Sequence, residues 1–211
     1  LQTQLGDKFI PLNFDVSDLP ATKTALQTLP NDVLNNLDVL VNNAGLALGL
    51  EPADKTDFAD WQQMVNTNIL GLIHLTHEIL PFMVANNDGY IINLSSTAGN
   101  YPYFGGNVYG ATKAFVTQFS LNLRADLVGK NIRVSNIEPG LCGGTEFSNI
   151  RFHGDDAKAA QVYNSVQYVT PQDIANMVAW LIEQPKHVNI NRIEVMPTAQ
   201  TFAGLKVVKD L

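Results

Sequence analysis

Three residues within positions 96–115 could together carry out acid–base chemistry: Ser96, Tyr109 and Lys113. Tyr109 and Lys113 are four residues apart, a spacing that places them one turn apart on the same face of a helix. A free phenol has a pKa of about 10, and a cation within about 4–6 Å stabilises the phenolate and lowers that pKa. We therefore expect Tyr109 to exchange a proton with a substrate, and Ser96 to hydrogen-bond the substrate oxygen beside it.

The same tyrosine and lysine also have an ordinary structural interpretation. Tyr109 could be a partly buried helix residue and Lys113 a solvated one, and the spacing alone is weak evidence for a site. The choice between the two interpretations depends on the elements that position these residues and on the motifs around them.

Short apolar runs that alternate with helical patterns would position these residues. Runs without polar alternation are typical of strands covered on both faces, as in a parallel sheet. They begin at Lys8 (KFIPLNF), Leu37 (LDVLVNN), Tyr90 (YIINLSS), Ile132 (IRVSNIEP) and Arg192 (RIEVMP). The alternation predicts an α/β layered fold, in which Ser96 follows the carboxyl end of a strand, where open parallel sheets bind ligands.

The ends of several helices are predicted from their local sequence. We expect Ser17 to cap a helix over 18–29 and Asn107 to cap the helix that carries Tyr109. The longest helical pattern, 57–86, contains Pro81 and should bend or end near it.

The helix from Asn107 to about Val128 is apolar on more than one face. One stripe consists of Phe115, Phe119, Leu123 and Leu127, while Val108, Val116 and Leu121 lie off it. Such a helix needs cover on more than one side, which favours a homo-oligomer, although burial inside one subunit would give the same pattern.

Composition excludes several classes of partner and favours one domain over residues 1–211. The chain has 20 acidic and 13 basic residues and a formal charge of -7, so nucleic acid and anionic membranes are not expected to bind. We expect no run long and apolar enough to span a membrane. A single cysteine, Cys142, cannot form an internal disulfide, which suits a reducing cytoplasm.

Five motifs then occur in register along the chain. They are NNAG at 42–45, NTNILG at 66–71, the serine at 96, YGATK at 109–113 and EPG at 138–140. In this order and spacing the sequence resembles the short-chain dehydrogenase/reductases, and its longer stretches are most similar to the bacterial NADP-dependent 3-hydroxy acid dehydrogenases. The resemblance implies a Rossmann-type, doubly wound parallel sheet in three layers and a homotetramer. It also implies hydride transfer between NADP(H) and a small 3-hydroxy or 3-oxo acid, such as serine or malonic semialdehyde, with NAD as the alternative cofactor.

The resemblance further implies a catalytic role for four residues. Tyr109 would exchange the proton, and Lys113 would lower its pKa and hold the nicotinamide ribose. Ser96 would orient the substrate oxygen, and Asn68 would position a water that links Lys113 to solvent.

Cofactor contacts are implied for three segments, together with Tyr109 and Lys113. Asp15 and Val16 would touch the adenine, Asn43, Ala44 and Gly45 would line the adenosine half, and Pro139, Gly140, Leu141 and Thr145 would wrap the nicotinamide and pyrophosphate. Asp15 could instead be an ordinary turn former, and Asn43 could cap a strand end.

Three other groups of residues have weaker functional interpretations. Arg151 could bind a substrate carboxylate, although a solvated or salt-bridged arginine is commoner. Cys142 has no activating base placed by the sequence, so we expect an inert thiol. His74 and His77 have no further ligand cluster, so no metal site is expected.

The sequence departs from the family at its beginning. Members start with a strand, a glycine-rich turn, a helix and a second strand, whereas the match here starts in the helix before the third strand. We therefore expect a longer parent protein, with a unit of about 30 residues or more missing here. That unit would contain the pyrophosphate-binding turn and the residues that choose NADP over NAD.

Two rival hypotheses remain at this point. A catalytically silent nucleotide-binding or scaffold protein could keep the same fold, but the presence of Ser96, Tyr109, Lys113 and Asn68 speaks against it. An inactive truncated fragment is favoured by the missing start.

Overall fold

The computed structural model describes residues 2–203 and contains one parallel sheet. Its strands are β1 (Val39–Asn42), β2 (Gly89–Leu94), β3 (Ile132–Pro139) and β4 (Arg192–Val195), hydrogen-bonded in the order β1-β2-β3-β4. The register places Asn42 opposite Asn93, and Asn93 opposite Asn136. A row of three amides therefore crosses neighbouring strands.

Helices connect these strands and follow them. They are α1 (Gln2–Leu5), α2 (Leu19–Gln27), α3 (Asn31–Asn35), α4 (Phe58–Val65), α5 (Leu72–Asn86), α6 (Asn107–Asp126), α7 (Phe147–Arg151), α8 (Asp156–Tyr163) and α9 (Pro171–Glu183). Single 3-10 turns lie at Gly6–Lys8, Ala53–Lys55 and Thr97–Gly99, and a π-helical segment at Asn66–Gly71 joins α4 to α5.

Both faces of the sheet are covered, and every residue of β2 is buried. On one face, Ile91 of β2 packs in a core cluster with Ile79 and Met83 of α5 and with residues of α3 and α6. On the other face, Ile92 packs with Leu181 of α9. Helices on two sides of a parallel sheet confirm the predicted three-layer, doubly wound α/β fold.

One predicted strand is absent. The KFIPLNF run predicted a strand, but residues 9–15 form no regular element, and β1 is the first strand of the described chain. A strand needs a neighbour for its backbone groups, and within residues 2–203 no strand pairs with this segment. Apolar composition alone was therefore insufficient to predict the strand.

Two predicted helix caps are wrong by one residue. The carboxylate of Asp18, not Ser17, accepts from Ala21 N at 2.9 Å and caps α2, because the Ser17 hydroxyl donates to Asp15 instead. Asn107 is the first residue of α6 rather than its cap. Its side-chain oxygen accepts from the Trp61 indole at 3.2 Å, which fastens α4 to the start of α6.

The long helix does not end at its proline. It is continuous over Phe58–Asn86, with Pro81 inside α5, and it ends before Asn87, whose positive φ of 48° is typical of a helix C-terminus. By length and composition it could cross a membrane, which corrects the expectation that no such run exists. That criterion is weak evidence, because core helices of soluble proteins also meet it, and Ile79 and Met83 pack here against the sheet.

The two ends of the α6 stripe have different surroundings. Leu123 and Leu127 are buried in the core, whereas Phe115 is 36% exposed and stacks on Phe119 with ring centroids 5.8 Å apart. Burial within one subunit therefore explains part of the apolar pattern, and an aromatic pair remains at the surface.

Candidate active site

A cleft of about 760 Å³ lies beyond the carboxyl ends of the strands. Its lining includes the predicted residues Asn43, Gly45, Ser96, Tyr109, Lys113, Pro139, Gly140, Leu141, Thr145 and Arg151. These residues come from the segments after β1, β2 and β3 and from α6 and α7. The structure thus brings most of the predicted site residues together.

Four predicted residues do not line this cleft: Asp15, Val16, Ala44 and Asn68. The Asp15 carboxylate accepts from the Ser17 backbone N–H and hydroxyl, each at 2.8 Å, which is the turn-forming role. The adenine contacts of Asp15 and Val16 stay a prediction.

The phenol of Tyr109 is buried against apolar neighbours. Burial raises its pKa to about 12, while its hydrogen bond with Ser96 and the charge of Arg151 oppose that rise. The direction is opposite to the lowering by Lys113 that the spacing predicted. The physical reason is that removing the phenolate from water destabilises it by more than the nearby Ser96 and Arg151 stabilise it.

Lys113 is also buried, and this burial lowers its pKa to about 8. Its Nζ lies 5.9 Å from the Tyr109 ring centroid and donates to the Leu94 carbonyl at 2.9 Å. A Cβ at Gly45 would come within 3.2 Å of this Nζ and 3.3 Å of Asn68 Oδ1, so a side chain there would press on both atoms. The ammonium therefore lies at a tightly packed corner of the cleft.

Asn68 lies in the π-helical segment, a distortion often found at functional sites. Its Nδ2 donates to the Leu46 carbonyl at 2.8 Å and to Thr112 Oγ1 at 3.0 Å, and its Oδ1 accepts from Leu46 N at 2.9 Å. Both amide hydrogens are thus used by the protein, and only one lone pair of Oδ1 is left for a water.

Ser96 is held at the junction of two strand ends. Its hydroxyl donates to the Pro139 carbonyl at 3.2 Å and accepts from Ala98 N at 3.1 Å. These contacts fix the Ser96 oxygen between the segments that follow β2 and β3, beside the Tyr109 phenol.

Arg151 lies among aromatic rings. Its guanidinium carbon is 5.3 Å from the Tyr109 ring centroid, 5.8 Å from Phe147 and 6.0 Å from Tyr103. Nη2 donates to the Tyr103 hydroxyl at 2.7 Å, whereas the buried Nε has no hydrogen-bond partner within the described chain. The guanidinium has five N–H groups and lines the cleft, so donors other than the buried Nε and the one on Tyr103 suit a carboxylate oxygen. Sequence reasoning missed Tyr103, at which only the aromatic-rich segment YPYF after Ser96 hinted, and it placed Phe147 at the end of the predicted cofactor loop without a contact to Arg151.

A second group that sequence reasoning missed is the carboxylate of Glu138, which is fully buried. It accepts from Arg192 Nε at 2.9 Å and Nη2 at 2.7 Å, from Asn136 at 2.6 Å, from Asn100 at 2.7 Å and from Thr117 at 3.1 Å. Glu138 thereby ties the end of β3 to β4, to α6 and to the segment that carries Ser96.

Neither the thiol nor the histidines suggest further chemistry. Burial raises the pKa of the half-buried Cys142 thiol, the opposite of an activated cysteine. Within residues 2–203, no group of three or more His, Cys, Asp or Glu side chains could hold a metal ion.

Replacing Lys113 should make the protein more stable while abolishing its catalytic use. In Lys113→Met, we expect the free energy of unfolding at pH 7 to rise by about 1–2 kcal/mol, because the buried ammonium is no longer desolvated. Below pH 8, Lys113 is protonated in both the folded and the unfolded protein, so burial of the ammonium lowers the free energy of unfolding by its full amount. The cost disappears as the pH rises from about 8 towards 10.5, because the folded protein loses its proton first. Urea denaturation at pH 7 and pH 10 measures both effects, and an equal gain at the two pH values would contradict this account.

Comparison with known proteins gives consistent matches over most of the chain. A profile described as short chain dehydrogenase matches residues 1–155. A probable NADP-dependent dehydrogenase of Haemophilus influenzae is 68% identical over 210 residues, covering 100% of this chain and 83% of that protein. An NADP-dependent 3-hydroxy acid dehydrogenase of Escherichia coli is 54% identical over 207 residues, covering 98% and 83%. The solved closed form of a serine dehydrogenase complexed with NADP+ has a TM-score of 0.96 at 53% identity and covers 100% of this chain and 84% of its own.

Proposed function

The chain belongs to the short-chain dehydrogenase family, and on this premise we propose that it is an NADP-dependent oxidoreductase of a small 3-hydroxy or 3-oxo acid. Family membership confirms the resemblance predicted from the five motifs. The observation that carries the proposal is the meeting of Ser96, Tyr109 and Lys113 in one cleft with Arg151. We take residues 1–211 as one Rossmann-like domain.

The residues of the cleft fit a nicotinamide cofactor. The buried Lys113 ammonium has three donors, and within the described chain the Leu94 carbonyl is its hydrogen-bond acceptor, so donors remain for the hydroxyls of a ribose. Gly45 leaves room beside that ammonium. Asn43 and Gly45 would hold the adenosine half, and the segment 139–145 the nicotinamide half.

The proton steps follow from the two hydroxyls. Bound NADP(H) supplies or accepts the hydride at its nicotinamide ring. In reduction, Tyr109 donates its proton to the substrate carbonyl oxygen as that oxygen gains negative charge. The Ser96 hydroxyl, which donates to the Pro139 carbonyl in the structure, would turn to donate its hydrogen bond to the same substrate oxygen. In oxidation, the Tyr109 phenolate removes the proton of the alcohol. With its pKa raised to about 12, Tyr109 is protonated at neutral pH and is ready for the reduction direction.

Asn68 has a supporting role in this proposal. Its hydrogen bonds to Leu46 and Thr112 hold the turn after β1 against α6, next to Lys113. The remaining lone pair of Oδ1 would hold a water that returns protons to Lys113 from solvent.

We further propose that the enzyme is a homo-oligomer, a tetramer by analogy with the family, in the reducing cytoplasm. The exposed Phe115 and its stacked neighbour Phe119 support the assembly, because a surface aromatic pair on α6 gains from being covered. The single Cys142 supports the compartment.

Arg151 is proposed to hold the substrate carboxylate, and this assignment sets the main test of the substrate class. NADP+ reduction is measured with serine and 3-hydroxypropionate and with the neutral propane-1,3-diol. In Arg151→Gln, the preference for acid over diol, as a ratio of kcat/KM values, should fall by about 10–100-fold, since charged hydrogen bonds contribute about 1.5–3 kcal/mol.

Lys158→Gln is the matched control, because it removes a cation from the neighbouring helix α8, where Lys158 pairs with Asp155. This variant should keep the preference of the wild type. An unchanged preference in Arg151→Gln, or a wild-type enzyme that oxidises the diol but neither acid, would contradict the proposed substrate class.

A further inference from the structure

We propose that Arg151 has a second role: its guanidinium stabilises the phenolate form of Tyr109, and a substrate carboxylate that pairs with Arg151 weakens this stabilisation. The inference rests on the proposed function for the identity of the carboxylate. One cation would then serve both substrate binding and the proton step, so that the charge of the substrate sets how readily Tyr109 releases its proton.

The first support is the position of the cation. The Arg151 guanidinium carbon is 5.3 Å from the Tyr109 ring centroid, closer than Lys113 Nζ at 5.9 Å. Opposite charges at such distances inside a protein shift a pKa by about 1–3 units. An arginine also keeps its charge at every accessible pH, whereas burial lowers the pKa of Lys113 to about 8. At alkaline pH, Arg151 is thus the cation that persists.

The second support is that the guanidinium is fixed at one end and unmatched at the other. Nη2 is tied to the Tyr103 hydroxyl at 2.7 Å, and the Arg151 carbonyl accepts from Gly49 N at 2.8 Å. The Phe147 ring lies 5.8 Å away. Nε is buried without a partner in the described chain, and since a guanidinium has five N–H groups and Arg151 lines the cleft, its other donors remain for a carboxylate oxygen. Binding there would leave the guanidinium over the phenol.

The charged and titratable groups that face Tyr109 are few. Lys113 lies on the same helix, Tyr103 precedes that helix, and Arg151 comes from α7. Cys142, whose thiol pKa is raised by burial, lines the same cleft, as do Tyr101 and Tyr163. Lys113 and Arg151 are the cations of this set, and Arg151 is the one proposed to pair with the substrate carboxylate, so Tyr109 should titrate at a different pH with a bound acid than with a neutral alcohol.

The kinetic test follows the pH dependence of oxidation in the NADP+ holoenzyme. For the wild type, the apparent pKa in kcat should be about one pH unit higher with 3-hydroxypropionate than with propane-1,3-diol. In Arg151→Gln the two substrates should give the same value. With the diol as substrate, the apparent pKa in kcat/KM of Arg151→Gln should lie about one unit above that of the wild type. On the acid side of the profile, kcat/KM of the variant should therefore be about tenfold lower.

Arg151→Lys and Lys158→Gln complete the kinetic series. Arg151→Lys keeps a positive charge and should recover at least half of the shift seen in Arg151→Gln, while Lys158→Gln should match the wild type. A residue that only shaped the pocket would change KM without moving these profiles. Equal apparent pKa values for acid and diol in the wild type would overturn the proposal, and that comparison requires no variant.

A second measurement needs no turnover and separates this inference from the proposed function. Phenolate absorbance of the NADP+ complex is titrated for the wild type and for Tyr109→Phe, and the difference reports Tyr109. Saturating propionate, which binds without reacting, should move the midpoint up by about one unit in the wild type and leave it unchanged in Arg151→Gln. If hydroxy acids are not oxidised but the midpoint moves, the proposed function fails and the coupling stands. If bound propionate leaves the wild-type midpoint unchanged, the coupling fails.

Discussion

Tyr109→Phe should lower kcat/KM for NADPH-dependent reduction of malonic semialdehyde by about a thousandfold, because general acid catalysis by a positioned side chain contributes about 10²–10⁴-fold. The substitution removes one oxygen from a residue that is 7% exposed and lines the cleft, and it keeps the ring that contacts Phe147 and Arg151. Binding of NADP(H), measured by calorimetry, should change by less than about threefold, since Lys113 and Gly45 are untouched. The loss would therefore lie in the chemical step.

Tyr168→Phe is the matched control for this variant. Tyr168 makes an edge contact with Tyr163 and does not line the cleft, so the same loss of a hydroxyl should leave kcat/KM unchanged. Equal rates for the wild type and Tyr109→Phe would rule out the proton transfer proposed here.

Arg192→Ala should lower the free energy of unfolding by about 2–4 kcal/mol, because it leaves the carboxylate of Glu138 buried without its charged partner. Glu138 is completely buried, and Arg192 supplies two of its hydrogen bonds, at 2.9 and 2.7 Å. The remaining donors, from Asn136, Asn100 and Thr117, are neutral amides and a hydroxyl. Urea denaturation monitored by circular dichroism gives the change directly.

The contrast with a surface ion pair makes the stability prediction specific. Lys186 pairs with Asp88, and the side chains are 67% and 38% exposed. Lys186→Ala should therefore cost less than about 1 kcal/mol. Similar losses in the two variants would show that Arg192 contributes no more than a surface charge, and that Glu138 is adequately held by its neutral donors.

The sequence was most informative where local pattern and tertiary environment agree. The runs at Leu37, Tyr90, Ile132 and Arg192 contain the four observed strands, because apolar residues on consecutive positions fit a sheet covered on both faces. The run at Lys8 is also rich in apolar residues, yet strand formation requires a hydrogen-bonding neighbour, which composition does not reveal.

The sequence predicted which residues line the cleft better than it predicted their chemical state, because that state depends on tertiary structure. The order and spacing of the motifs predicted that Ser96, Tyr109 and Lys113 share one cleft. The pKa of Tyr109, however, depends on how deeply the fold buries its phenol, and the spacing of residues in the sequence does not reveal that depth. The contact of Arg151 with Tyr103 joins residues 48 positions apart. Only the fold, which brings the end of α7 beside the segment that precedes α6, creates it.

The row of amides across the sheet helps to fix how β1, β2 and β3 are aligned beneath the cleft. Asn42 Nδ2 donates to Asn93 Oδ1 at 2.8 Å, and Asn93 and Asn136 donate onward to Ser120 and Thr117 of α6. If one strand slid by two residues, an amide would face aliphatic neighbours with its hydrogen bonds unmade, at about 1–3 kcal/mol for each group. The amide row therefore favours one register for β1, β2 and β3, and that register sets where the segments that line the cleft leave the sheet.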